Sequence, residues 1–353
     1  MIQPKNRNVK IAVTIEPSSH ILEDAGELFS AGADIFRVNF FRNSRADNLK
    51  IYEAIRAVGR KHRAFPTILA DLQWSGAGSE ERNSLNLAVE LGFDGVILSP
   101  IRDPEAVLKA KNTVKGRTAI MAKPDFSEAG VAPEPIIEAS DGLATESGAF
   151  SLISAEEATD ICNRLGRPAI VSVGNFANFS AKVGEAVYRK ADAIALPPEL
   201  SDGRRPLGEL KMLNEILENI ESDPLALKHI RETARLPHNS TADAICASAA
   251  EAVKVSCARV MVLFTDSWNT VLRCSRLRPG VKIILITDSF ELAGKSGLSY
   301  AVRAIVSKNS FKAEEICKTA KVIVAENRFA AVGDNIVILS NVSADNFVSV
   351  CRL

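Results

Sequence analysis

The stretch SAGADIFRVNFFRN, residues 30–43, holds the end of a helix, a glycine stop and a strand, and its punctuation recurs along the chain. In ILEDAGELFSAG, residues 21–32, apolar positions return at three- and four-residue spacing, which predicts an amphipathic helix closed by Gly32. The apolar run DIFRVNF begins at once. A second G-x-D step, from Gly92 to Asp94, ends another helix and opens another strand in the same way.

Working outward, eight short apolar runs read as strands: VKIAVTI (9–15), DIFRVNF (34–40), PTILAD (66–71), DGVILS (94–99), TAIMAK (118–123), DGLATE (141–146), PAIVSV (168–173) and DAIALP (192–197). Helical patterns separate them, and parallel strands require such crossovers. The fold class predicted is therefore α/β, a (β/α)8 TIM barrel over residues 1–222. ESDPLALKHIRETARLPHNS (221–240), polar and proline-containing, reads as a connector. Residues 238–353 then predict a small C-terminal α/β domain: a long helix, a buried strand near VMVLF, strands at 281–287, 301–307 and KVIVAEN (321–327), and a closing hairpin of NIVILS (335–340) and FVSVCRL (347–353).

Composition narrows the partners. The 353 residues carry 43 Lys plus Arg against 43 Asp plus Glu, so net charge gives no reason to expect nucleic acid. No apolar run is long enough to span a membrane and the N-terminus lacks a signal-peptide core, which makes the cytoplasm the expected compartment. Cys162, Cys246, Cys257, Cys274, Cys317 and Cys351 are scattered without metal-ligand spacing, as expected of free thiols.

Barrel enzymes place their chemistry at the C-terminal ends of the strands and the loops that follow. Those positions hold Arg37 and Asn39 after the second strand, Asp71 after the third, Ser99 and Arg102 after the fourth, and Lys123 and Asp125 after the fifth. Two guanidinium groups, an ammonium and two carboxylates around one mouth suit a phosphorylated anion, with or without a divalent cation.

These residues sit in segments that resemble the pyruvate kinase family. VKIAVTIEPSS and SAGADIFRVNFFRN are similar to its "TIGPAS" and "AGMxxxRxNFSHG" patterns. The likeness runs in order through ILADLQ, LGFDGVILSPIRDPEAV, AIMAKPDF, IIEASDG, CNRLGRPAI and ADAIALPPELSDG, and on to VMVLFTDSWNTVLRCSRLRPGVKIILIT in the regulatory domain. The resemblance implies Arg37 and Lys123 as catalytic and substrate-binding residues, Asp125 as a divalent-metal ligand, and Asn39 and Asp71 as monovalent-cation ligands. It also implies phosphoenolpyruvate as ligand, Mg and K as cofactors, and a homo-oligomer or a hetero-oligomer with a true pyruvate kinase.

The departures are as informative. The family inserts a large lid domain after the third strand, whereas DLQWSGAGSEERNSLNLAVELG continues directly from Asp71 into a helix, and LQWSG replaces "TKGPEIR". Asp125 stands for the metal-binding glutamate, Ala149 for the aspartate of "ARGD", with Glu146 the nearest substitute. Val173 occupies the position of the proton-handling threonine, and a valine can neither donate nor accept a proton. Phe41 and Leu72 replace hydroxyl residues of the monovalent site. In the C-terminal domain TDSWNT (265–270) sets Asp266 and Trp268 where the family's effector loop has "TxSGRT/S", and the closing segment lacks its glycine-rich loop, which argues against sugar bisphosphate regulation. Lid, metal carboxylate and proton-handling hydroxyl are three separate losses. They predict a catalytically impaired pseudoenzyme with a binding, scaffold or regulatory role. The alternatives are a divergent active kinase transferring phosphate from phosphoenolpyruvate to ADP, giving pyruvate and ATP in glycolysis, and an altered chemistry on phosphoenolpyruvate at an open mouth.

Overall fold

A computed structural model describes residues 6–125, 132–145, 155–174, 178–197, 206–232, 240–307, 313–341 and 346–353. Eight parallel strands close into a barrel in sequence order: β1 (Lys10–Ile15), β2 (Ile35–Asn39), β3 (Thr67–Gln73), β4 (Gly95–Ile101), β5 (Ala119–Pro124), β6 (Gly142–Ala144), β7 (Ala169–Ser172) and β8 (Ala193–Ala195), with β8 paired back to β1. Between them lie α1 (Ile21–Ala31), α2 (Arg45–His62), α3 (Ser79–Leu91), α4 (Pro104–Val114), α5 (Pro133–Ala139), α6 (Ala155–Leu165) and α7 (Phe179–Tyr188), and α8 (Leu207–Ser222) follows β8. Gly32 caps α1 at φ +126° and Gly92 caps α3 at φ +80°, both in the region that favours glycine, so the G-x-D steps end helices as expected.

The aspartate of that step has a second task. Asp34 donates its N–H to the Ile11 carbonyl (2.9 Å), and its carboxylate accepts the Ile11 N–H (2.9 Å). The same double bond joins Asp94 to Ile68 (3.0 and 2.7 Å), Asp141 to Ile120 (2.7 and 2.9 Å) and Asp192 to Ala169 (3.0 and 3.0 Å). Every even strand is thus pinned to the odd strand before it at the barrel floor. Each carboxylate has its own cation: Arg7 (2.6 Å), Arg56 (2.7 Å), Lys111 (2.8 Å) and Arg278 (3.2 Å), respectively.

Arg278 belongs to the second unit, a five-stranded sheet of order β11-β10-β9-β12-β13. Its strands are β9 (Val260–Phe264), β10 (Lys282–Thr287), β11 (Val302–Val306), β12 (Asn335–Ser340) and β13 (Phe347–Arg352). Its helices are α10 (Thr241–Val255), α11 (Trp268–Arg276), α12 (Phe290–Ser296) and α13 (Ala313–Glu326). The expected hairpin is the antiparallel β12–β13 pair. This unit seals the floor: Leu298 joins the cluster of Ala12, Ile35, Leu69, Ile97 and Met121 inside the barrel, and Thr67 donates to the Gly294 carbonyl at 2.9 Å. A Cβ on Gly294 would stand 1.8 Å from Asp94 Oδ1, so only glycine permits that approach. Arg278 lies 3.9 Å above the Tyr300 ring, while the Tyr300 N–H donates to Asp192 (3.0 Å).

Two sequence expectations are corrected. KVIVAEN is not a strand but the end of α13: its β-branched run imitates a strand, yet Ile316, Ala320 and Val324 are buried at four-residue spacing, and the parallel crossover from β11 to β12 needs a helix. The connector at 221–240 contains α9 (Pro224–Glu232). There proline marks a helix start, because Asp223 accepts the Leu225 N–H (2.9 Å) ahead of it while Ala226 and Ile230 are buried.

Burial pushes the Asp192 carboxyl upward, against the pull of Arg278 and the two backbone N–H groups. Arg278→Met should lower unfolding stability by about 3–5 kcal/mol by stranding that charge. A carboxyl with a raised folded pKa favours the fold when protonated, so the deficit should shrink as pH falls toward that value, read by denaturant titration at several pH values.

Candidate functional site at the barrel mouth

Alternation along the strands sets which side chains reach the lumen. Ala12, Ile35, Leu69, Ile97 and Met121 point inward, so Thr14, Arg37, Asn39, Asp71, Ser99 and Lys123 share that parity nearer the C-terminal ends. Asn39 pairs in register with Asp71, and Arg37 lies one inward step below Asn39 on β2, which lets it reach Asp71 diagonally.

Arg37 is 8% exposed, and its Nη2 donates to Asp71 Oδ2. Its Nε, also buried, finds no hydrogen-bond partner among the described residues, and neither does the buried Thr14 Oγ1 on the neighbouring strand. Asn39 Oδ1 accepts the Arg42 N–H at 3.2 Å. Arg102 Nη2 stands 3.0 Å from Asp125 Oδ2, with the guanidinium half exposed and the carboxylate largely covered. Ser99 gives its carbonyl to the Trp74 N–H (3.0 Å). Val173 is buried in the apolar cluster outside the lumen. Glu146 and Ala149 lie outside the described residues.

Among the described residues the donor set does not make a divalent cage. Among the described residues no three of His, Cys, Asp and Glu gather as metal ligands, and Asp125 already accepts from a guanidinium. Octahedral Mg²⁺ needs more oxygen than one engaged carboxylate supplies. Both monovalent candidates, Asn39 and Asp71, likewise accept from the chain's own N–H groups.

The β3–α3 connection is compact. Trp74 is 2% exposed and donates its indole N–H to the Ala106 carbonyl at 2.8 Å. The Glu81 carboxylate accepts from Ser75 N–H (3.0 Å), Ser75 Oγ (2.9 Å), Gly76 N–H (3.1 Å) and Gly78 N–H (3.3 Å), folding residues 74–78 onto the start of α3. A five-residue loop, anchored at both ends, occupies this edge of the mouth. Sequence inspection passes over one acidic residue. Glu16 follows β1 where the family pattern "TIGPAS" has glycine; partial burial raises its carboxyl, with Arg42 opposing.

A barrel floored by a five-stranded α/β sheet, with arginine, asparagine, aspartate and lysine at its mouth, defines a two-unit α/β architecture. Residues 243–351 match the family model described as pyruvate kinase, alpha/beta domain. The chain is 28% identical to a pyruvate kinase of Methylorubrum extorquens over 357 positions, covering 94% of this chain and 72% of that protein. It is 22% identical to a pyruvate kinase of Agrobacterium vitis over 454 positions, covering 95% and 93%. A pyruvate kinase of Staphylococcus saprophyticus is 23% identical over 76% of this chain and 49% of its own length. The chain is thus similar to pyruvate kinases along nearly its whole length, and residues 243–351 carry the pyruvate kinase alpha/beta domain. The Agrobacterium alignment is longer than the chain itself, because that relative carries residues with no counterpart here.

Burial works against the ionised form of Glu81, but its hydrogen bonds from Ser75, Gly78 and Gly76 prevail and hold the carboxyl below its usual range. A depressed carboxyl stabilises above its unfolded pKa and loses that contribution as pH falls through the folded value. Glu81→Ala should cost about 1 kcal/mol and speed hydrogen exchange at Gly76 and Gly78, and acid should produce the same loosening in the unsubstituted chain.

Proposed function

We propose that this pyruvate-kinase-like chain binds phosphoenolpyruvate, or a phosphorylated anion of its size, at the barrel mouth and is catalytically impaired, acting as a pseudoenzyme in a binding or regulatory role. The observation that carries the reading is the state of Arg37. One nitrogen is committed to Asp71, so the pair neutralises itself and Asp71 is withdrawn from cation binding. The remaining buried N–H has no partner beside a partnerless Thr14 hydroxyl, an arrangement that an incoming oxyanion would complete. Lys123, inward on β5, supplies the second cation of the pocket.

The residues at the mouth account for binding better than for transfer. Phosphoryl transfer relies on positioning and charge neutralisation by metal and protein together. Here the candidate metal carboxylate is held by Arg102, and a buried valine stands at the proton-handling position. The anchored loop at residues 74–78 supplies no wall comparable with a lid domain. The divisions 1–222 and 238–353, a cytoplasmic setting and self-assembly or assembly with an active pyruvate kinase belong to the same proposal.

The test separates binding from turnover. Phosphoenolpyruvate alone should stabilise the chain by about 2.7 kcal/mol at roughly a hundredfold excess over Kd, and Arg37→Met or Lys123→Met should abolish the shift. A coupled assay with phosphoenolpyruvate, ADP, Mg²⁺ and K⁺ should show no turnover; activity lost in Lys123→Met would establish the divergent kinase instead. Affinity should also rise as pH falls through the raised Glu16 value, where the carboxylate that repels the anion is neutralised, and Glu16→Gln should flatten that dependence.

A further inference from the structure

The C-terminal sheet carries two thiol pairs of different character. Cys246 on α10 and Cys274 on α11 lie near each other inside the closed core, 1% and 0% exposed. Cys317 on α13 and Cys351 on β13 border one apolar cluster, near enough for each thiol to influence the other, yet both are only half-buried. Their meeting follows from two periodicities. Ile316, Ala320 and Val324 lay α13 on one face of the sheet, which puts Cys317 at the margin of that contact. Alternation along β13 sends Phe347 and Cys351 to the same face, where both pack on the cluster that Cys317 borders. Ser349 Oγ stands 3.4 Å from Cys351 Sγ.

We propose that Cys317 and Cys351 are a modification site at which a small disulfide of the glutathione type forms an intramolecular disulfide joining α13 to β13. One protein thiolate attacks a sulfur of the oxidant, forming a mixed disulfide and releasing one glutathione thiolate. The second protein thiolate then attacks the protein sulfur of that intermediate and releases the other. The oxidant's S–S bond breaks, the protein's forms, and two hydrogens pass from the protein to two molecules of reduced glutathione. All six cysteines are free thiols, so the structure is the reduced form. Burial and the neighbouring Cys351 thiol raise the Cys317 thiol, with Lys321 one turn away opposing, so exchange is faster under alkaline conditions. The link would act on an edge strand: β13 ends the sheet with β12 as its single strand partner.

The experiment treats the whole chain with glutathione disulfide, alkylates it, and maps it without reduction. The expected product is a Cys317–Cys351 peptide, two hydrogens lighter, reversed by dithiothreitol, with Tm raised by roughly 5 °C. Cys246 and Cys274 should stay reduced because no oxidant reaches them, and exposed Cys257 should carry only a glutathione adduct. Cys351→Ser should leave glutathione on Cys317 and abolish the Tm rise. Separate glutathione adducts on Cys317 and Cys351 in the unsubstituted chain, linkage of Cys246 to Cys274 instead, or no reaction at either half-buried thiol would each overturn the proposal. Because the map is made on the unsubstituted chain, a poorly folding variant does not decide the result.

Discussion

The double hydrogen bond between each even-strand aspartate and a residue at the start of the preceding odd strand is the constraint on which the rest of this molecule depends. Asp34, Asp94, Asp141 and Asp192 fix β2, β4, β6 and β8 to their neighbours at the floor. A parallel strand displaced by one residue would turn every inward side chain outward. Arg37, Asn39, Asp71 and Lys123 therefore reach one mouth because carboxylates at the opposite end hold the register. Burying such carboxylates is costly without partners, and burial indeed raises Asp94 and Asp192. Three of the cations that offset this cost come from the barrel, and the fourth, Arg278, comes from the other unit, so the two units share one electrostatic arrangement.

The mouth is organised differently. At the floor each carboxylate keeps backbone N–H donors as well as a cation, whereas Arg37–Asp71 and Arg102–Asp125 pair strand-end side chains directly. Such pairing engages two cations and two carboxylates of the mouth with each other. Among the described residues the Arg37 Nε is left without a hydrogen-bond partner.

Much of the fold was legible in the sequence because eight apolar runs alternate with helical patterns and glycines stop the helices. The errors arise where one residue type serves two structures. Val322, Ile323 and Val324 suggest a strand until the four-residue spacing of Ile316, Ala320 and Val324 is weighed, and Pro224 suggests a linker until Asp223 is seen to open a helix before it. The mouth residues were legible as positions, since strand ends can be read from the sequence. Their pairing was not, because Arg37 finds Asp71 through inter-strand register. The aspartate lock left a visible trace, as the runs DIFRVNF, DGVILS, DGLATE and DAIALP all begin with the same residue; its meaning depends on an N–H contributed from an earlier strand.

The chain has two tryptophans, and the fold stations them at opposite ends of the barrel. Trp74 is sealed under the loop at the mouth with its indole N–H bound to a carbonyl, while Trp268 opens α11 in the unit beneath the floor, its indole N–H buried without a partner among the described residues. One indole is hydrogen-bonded and the other has no partner among the described residues, so their emission bands should differ in position. The protein thus carries two intrinsic optical reporters: a disturbance at the mouth and a parting of the two units would register as separate spectral events.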